Sequence, residues 1–154
     1  MPIKPRIPSE HEEQTGLILW ARANLPSELR HLLFAIPNGG LRTPRNAHTL
    51  KAEGVVSGIP DLFFAHPIGF FHGLFIEMKR GRPGQSKIST EQAEMIIRLK
   101  KQGYACKICY GCIEAIEALK DYLASKNDNW RESAFKEYKR RMELAELAER
   151  ENFR

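Results

Sequence analysis

Two short apolar runs, Asp61-Leu-Phe-Phe-Ala65 and Gly73-Leu-Phe-Ile-Glu-Met-Lys79, stand close together, joined only by residues 66–72. Runs rich in Phe, Leu and Ile and bounded by Gly and Pro fit strands. Parallel neighbours need a crossover of about a dozen residues or more, so this connection makes the two strands an antiparallel pair. An isolated hairpin is marginal in water, and the rest of the chain must supply further strands and covering helices.

The remaining elements follow from periodicity and from end signals. Ser9 is an N-cap, with Glu10, Glu12 and Glu13 in the first turn where the helix dipole favours negative charge. Leu17, Ile18, Trp20 and Ala21 supply the apolar face of a helix running to about Arg22, and Pro26 closes the segment. His31–Ile36 reads as a short buried strand ending in the turn Pro37-Asn38-Gly39-Gly40. Thr43-Pro44 opens a thinly apolar surface helix that Gly54 stops. Ser89 and Gln92 have capping-box spacing before a helix carrying Ala93, Ile96, Ile97 and Leu99, which Gly103 ends. Tyr104–Tyr110 is a strand, and Ile113, Ile116, Leu119 and Leu123 mark a last helix. The order α–β–α–β–β–α–β–α describes an α/β fold, a mixed sheet flanked by helices. Residues 1–125 form one domain, and residues 126–154 are a charged, helical C-terminal extension with a narrow apolar stripe.

Composition sets the outer limits. Apolar residues make up 42% of 154, enough for a core, and no apolar run approaches the roughly 20 residues that span a bilayer. The N-terminal residues lack a signal-peptide pattern, so an intracellular, cytoplasmic protein without membrane contact is expected. The net charge of +5 suits a polyanionic partner, because neutralising phosphates releases counterions. The spacing Cys106-x-x-Cys109-x-x-Cys112 invites a metal. However, side chains three apart on a strand diverge, and no further Cys completes a set, so no metal or disulfide is expected there.

The chemistry concentrates at two strand ends. Asp61 follows Pro60 at the start of one strand, and Glu77 and Lys79 lie within the end of the next, on one face by alternation with Met78 turned away. A charge inside an apolar strand is costly unless it is paired or bound to a metal. In a hairpin, Asp61 meets the Glu77–Lys79 face, and two carboxylates beside an ammonium suit metal-assisted phosphodiester hydrolysis. Taken alone, Glu77 and Lys79 also fit a solvated edge, and Asp61 a turn. The basic residues Arg80, Arg82 and Lys87 that follow favour the first reading.

Pro60-Asp61 with Glu77-Met78-Lys79 resembles the PD-(D/E)xK signature of restriction-endonuclease-like nucleases. The finer pattern resembles the VRR-NUC family, in its stand-alone phage and bacterial members: Glu10-x-x-x-Gln14, Pro37-Asn38-Gly39-Gly40, Gly58-Ile-Pro-Asp61, Leu74-Phe-Ile-Glu-Met-Lys79, Ser89-x-x-Gln92 and Gly103-Tyr104. The resemblance covers about residues 9–124. It implies a restriction-endonuclease-like fold in a bacterial or phage-infected cell, and Mg²⁺-dependent cleavage of DNA with Mn²⁺ able to substitute. Carried over, Asp61, Glu77 and the Met78 backbone carbonyl are metal ligands, Lys79 is the catalytic lysine, and Gln92 points into the site. The helix-one carboxylate of the family matches Glu10 as catalytic residue and ligand, with Glu13 a competing choice. Stand-alone members imply a homodimer acting on branched DNA such as Holliday junctions. A restriction- or packaging-type duplex nuclease and a catalytically silent junction-binding module are the alternatives. For DNA contact the expectation names Arg42, Arg45 and Lys51, then Arg80, Arg82 and Lys87. Asn38 joins them or serves only its turn. The loop Phe70-Phe71 is either a subunit contact or a buried hairpin tip.

Overall fold

The computed structural model describes residues 6–37, 49–81 and 86–125. The extension at 126–154, the Thr43-Pro44 helix start, and Asn38, Arg42, Arg45 and Arg82 lie outside the described residues.

Helix α1 runs Glu10–Asn24 behind a complete Ser9/Glu12 capping box, each side chain accepting the other's backbone N–H. Strands β1 (Leu33–Ala35), β2 (Leu62–Phe64) and β3 (Leu74–Lys79) follow, then helix α2 (Thr90–Lys101), strand β4 (Ala105–Tyr110) and helix α3 (Cys112–Ala124). The strands form one sheet in the order β1-β2-β3-β4. β1 and β3 are both antiparallel to β2, with Leu62 opposite Ile76, whereas β4 is parallel to β3 across the α2 crossover. Mixed pairing and antiparallel hairpin agree with the expected fold class.

One sheet face carries Leu33, Leu62, Phe64, Leu74, Ile76, Met78, Ala105 and Cys109, buried with Leu17 and Ala21 of α1 and Ala115, Ala118, Leu119 and Tyr122 of α3. The opposite face carries Phe63 stacked on Phe75 at 4.4 Å, with Tyr104 edge-on to Phe75 at 5.3 Å, and α2 packs there against β4. Glu77 and Lys79 share the parity of Phe75 and so belong to this second face. Every residue of β3 is buried: α1 and α3 lie against one side, and Phe63, Tyr104 and Gln92 of α2 cover the other.

Three local expectations change. The His31–Ile36 run is a strand only over Leu33–Ala35, and of these only Leu33 is buried: β1 is the edge of the described sheet, with Phe34 left 43% exposed. Ile113 does not join the buried stripe of α3 but stands 77% exposed, since the helix turns Ala115, Ala118 and Leu119 inward. On α2, Ile96 is buried while Ile97 is exposed. Periodicity marks an apolar arc, and the neighbouring layer selects which part of it is used. In the hairpin connection, Phe71 is half-buried against Tyr122 and Phe70 is exposed.

The cysteines diverge as alternation requires. The Cys106 thiol faces the Ile96 carbonyl of α2, Cys109 is in the core on the other face, and Cys112 opens α3 against Gly16 of α1. Burial pushes the Cys106 thiol up to about 11 and the Cys109 thiol up to about 12.

Candidate active site

The register of β2 and β3 explains why Pro60 precedes Asp61. Continuing the pairing beyond Leu62–Ile76 brings Pro60 opposite Met78. Proline has no N–H, so it cannot donate to the Met78 carbonyl and the ladder stops. The Met78 N–H donates instead to Asp61 Oδ2 at 2.8 Å. On a strand the N–H and C=O of one residue point the same way, and the Met78 carbonyl therefore faces the Asp61 side. The Met78 carbonyl oxygen and the Asp61 carboxylate thus lie on the same edge of β3 at the strand end.

On the second face, Lys79 Nζ lies 2.8 Å from Glu77 Oε1 and donates to Gln92 Oε1 at 3.1 Å. Gln92 Nε2 in turn donates to Glu77 Oε1 at 2.5 Å. Glu77 is 1% exposed and Lys79 7%. Among the described residues the bonds to the Glu77 carboxylate fall on Oε1, and Oε2 is buried without a hydrogen-bond partner. Burial pushes the Glu77 carboxyl up to about 7. The Lys79 ammonium opposes the rise, and Asp61 and Glu10 add to it. The Asp61 carboxyl is also raised by burial, against the Met78 N–H and Lys79, with Glu10 again pushing it up. Three carboxylates thus share one negative field at the end of β3.

The acidic first turn of α1 divides its work. Glu12 serves the capping box and pairs with Arg6, and the Ser9 backbone N–H, helped by Arg6, holds its carboxyl down to about 2. Glu13 Oε2 accepts the Cys112 N–H at 2.6 Å, supplying the cap that Gly111 lacks at the start of α3. Glu10 Oε1 accepts the Arg80 N–H at 3.2 Å, just past β3. Of the two residues proposed for the helix-one carboxylate, Glu10 reaches the Asp61–Glu77 end and Glu13 is committed elsewhere.

Asp61, Glu77, Met78, Lys79, Gln92 and Glu10 are therefore brought together. Arg80 is exposed next to them, its guanidinium donating to the Ile7 carbonyl. The Ser86 hydroxyl donates to the Arg80 carbonyl at 2.5 Å, returning the chain to the strand end, where Lys87 is exposed before α2. Lys51 is exposed in the helical turn at 49–52, on the connection between β1 and β2. Sequence reasoning missed two features. One is the Glu13 tie to α3, which has no local signal. The other is the seat of α2 on Gly58, for which the glycine before Pro60-Asp61 was the only trace.

A divalent cation would find fitting donors here. Among the described residues no three His, Cys, Asp or Glu side chains converge as a ready metal cluster. The donor set is instead two carboxylates and a backbone carbonyl, and among the described residues Glu77 Oε2 is a buried acceptor without a hydrogen-bond partner. Oxygen donors of this kind suit Mg²⁺, which keeps several of its waters.

Fold and site define an α/β domain with an acid-and-lysine cluster at the end of its central strand. The family model for the VRR-NUC domain matches residues 3–112. A solved structure of a VRR_NUC domain protein is similar at 28% identity and a TM-score of 0.67, over 78% of this chain and 92% of that one. A search of curated proteins found no match. The chain belongs to the VRR-NUC family, and its function is of nuclease type, with DNA as the partner. No helix among the described residues is long and apolar enough to cross a membrane.

Proposed function

We propose that the protein is a Mg²⁺-dependent DNA endonuclease, also served by Mn²⁺, that hydrolyses phosphodiester bonds at the Asp61–Glu77–Lys79 strand end. The observation that carries this reading is the buried, partnerless Glu77 Oε2 next to Asp61, with Lys79 held against the same carboxylate. Asp61, Glu77 and the Met78 carbonyl would hold the metal, with Glu10 completing the acidic side. When bound, the metal would polarise the scissile phosphate and lower the pKa of a coordinated water.

The protein's own groups divide the remaining tasks. Lys79 places a positive charge where negative charge develops on the phosphate, and its contacts to Glu77 and Gln92 remove the freedom of a long side chain. Gln92 orients that pair. Helices on both faces of β3 keep bulk water from the Glu77–Lys79 contact, which strengthens it. Arg80 and Lys87, exposed at the rim, would meet flanking phosphates, and Lys51, Asn38, Arg42, Arg45 and Arg82 are the further candidates from the sequence.

The motif resemblance extends the proposal to branched DNA such as Holliday junctions and to a homodimer, whose two-fold symmetry suits a symmetric junction. The test is a panel of four-way junction, flap, linear duplex and single strand, each with Mg²⁺, Mn²⁺ or EDTA. Cutting is expected with either metal, absent in EDTA, and fastest on the junction. Equal or faster cutting of linear duplex would favour a restriction- or packaging-type enzyme, and junction binding without cutting a silent module. Light scattering checks the dimer.

A further inference from the structure

The capping box of α2 differs from that of α1 in one respect. In α1 the box is local: Glu12 reaches back to Ser9 and otherwise, among the described residues, meets only exposed Arg6. In α2 the box side chain belongs to the candidate site. Gln92 Oε1 accepts the Ser89 N–H at 3.0 Å and the Lys79 ammonium at 3.1 Å, while Gln92 Nε2 donates to Glu77. A capping box accepts either Glu or Gln at this position. Only Gln has an N–H₂ for a carboxylate partner, and a Glu would set like charge against Glu77.

The helix start is also wedged in place. Gly58 has φ +80°, which L side chains rarely adopt, and a Cβ there would lie 2.5 Å from the Glu91 carbonyl oxygen and 2.9 Å from the Gln92 nitrogen. The backbone of the first turn of α2 therefore rests on the loop that leads into Pro60-Asp61. Any side chain at position 58 drives that turn, and Gln92 with it, away from β3.

We propose that Gly58 and Ser89 are positioning residues that act through Gln92 to hold the Lys79 ammonium and the Glu77 carboxylate in one arrangement. Ser89 fixes the Gln92 side chain by taking its backbone N–H at 3.2 Å and giving its own N–H to the amide oxygen. Gly58 fixes the depth at which the helix is seated. Two donors on the oxygen and a carboxylate on the nitrogen leave one orientation of the amide that satisfies all three. The inference rests on reading this strand end as the nuclease site.

The experiment follows the Gln92 side-chain amide by ¹H–¹⁵N spectroscopy in the full chain, alongside kcat and KM on DNA with Mg²⁺. In the unaltered protein the amide protons are expected downfield and slow to exchange. Ser89→Ala and Gly58→Ala should move them towards a free amide and lower kcat, by about 3- to 10-fold for Ser89→Ala, the scale of a lost N-cap, with KM within about twofold. Ser89→Thr, which keeps the cap, should restore both readings. Gln92→Glu should keep the helix start and lose kcat, whereas Glu117→Gly, on the exposed side of α3, should lower stability alone. Unchanged Gln92 amide signals in Ser89→Ala would overturn the proposal, as would lowered stability at full kcat. If the unaltered protein cuts no DNA, the nuclease reading fails, and the amide signals still decide the positioning. If Gly58→Ala does not fold, the Ser89 pair decides alone.

Discussion

Replacing Glu77 by Gln tests the electrostatics of the strand end without any substrate. The Glu77 carboxyl is raised from an ordinary 4.5 to about 7, chiefly by burial. The folded protein thus holds a proton that the unfolded chain has released. The group's contribution to stability is complete below about pH 4.5, declines as the pH rises, and is lost above about 7. A difference of about 2.5 pH units at about 1.36 kcal/mol each has a ceiling of about 3 kcal/mol. Local relaxation and hydration at a strand end bring the working figure to about 2 kcal/mol. Glutamine keeps the shape and an Oε1 acceptor but does not titrate. The attraction of Lys79 for the ionised carboxylate is already contained in that shift, so the pH slope belongs to Glu77 alone. In EDTA, the melting temperature of Glu77→Gln minus that of the unaltered protein should therefore grow from pH 4.5 to 7.5. For a chain of this size the growth is about 4–8 °C. Saturating Mg²⁺ should shrink the difference above pH 7, since a cation favours the ionised carboxylate. Curves parallel in EDTA to within about 1 °C would refute the argument that Glu77 is a buried, strained carboxylate.

Glu10→Ala and Glu13→Ala should separate by readout. The first is expected to lower cleavage at least about tenfold with little change in melting temperature. The second uncaps α3 and costs about 1 kcal/mol by denaturant titration, with cleavage kept. Lys79→Met should abolish cleavage, to below about 1% of the unaltered rate, and destabilise the metal-free protein at pH 8 by about 1–3 kcal/mol, because the Glu77 carboxyl, left without its partner, must take up a proton or stay buried as a lone charge. Gly73→Ala brings a methyl within 2.6 Å of the Phe63 ring and 2.9 Å of the Phe64 carbonyl oxygen, and should cost about 1–3 kcal/mol, read as a shift in urea midpoint at unchanged slope.

Much of this fold is legible along the chain because its signals are local. Capping residues, apolar periodicity and turn residues act within a few positions of one another. They locate α1, α2, β3, β4 and α3, and the short connection dictates the antiparallel β2–β3 pair. Alternation likewise puts Glu77 and Lys79 on one face before any partner is known.

What the tertiary structure decided is everything that depends on which layers meet. Whether β3 is half-buried or enclosed follows from α2 and α3 lying on opposite faces, and with it comes the desolvation that raises the Glu77 carboxyl. Of the three acids in the first helical turn, Glu12 is taken by the local Ser9 cap, and packing alone assigns Glu13 to the start of α3 and Glu10 to the end of β3. Gly58 is an ordinary loop glycine until the first turn of α2 is set against it. Periodicity and caps are encoded by neighbours in the chain, but burial, register and close approach are properties of pairs far apart in it, and those pairs make the site.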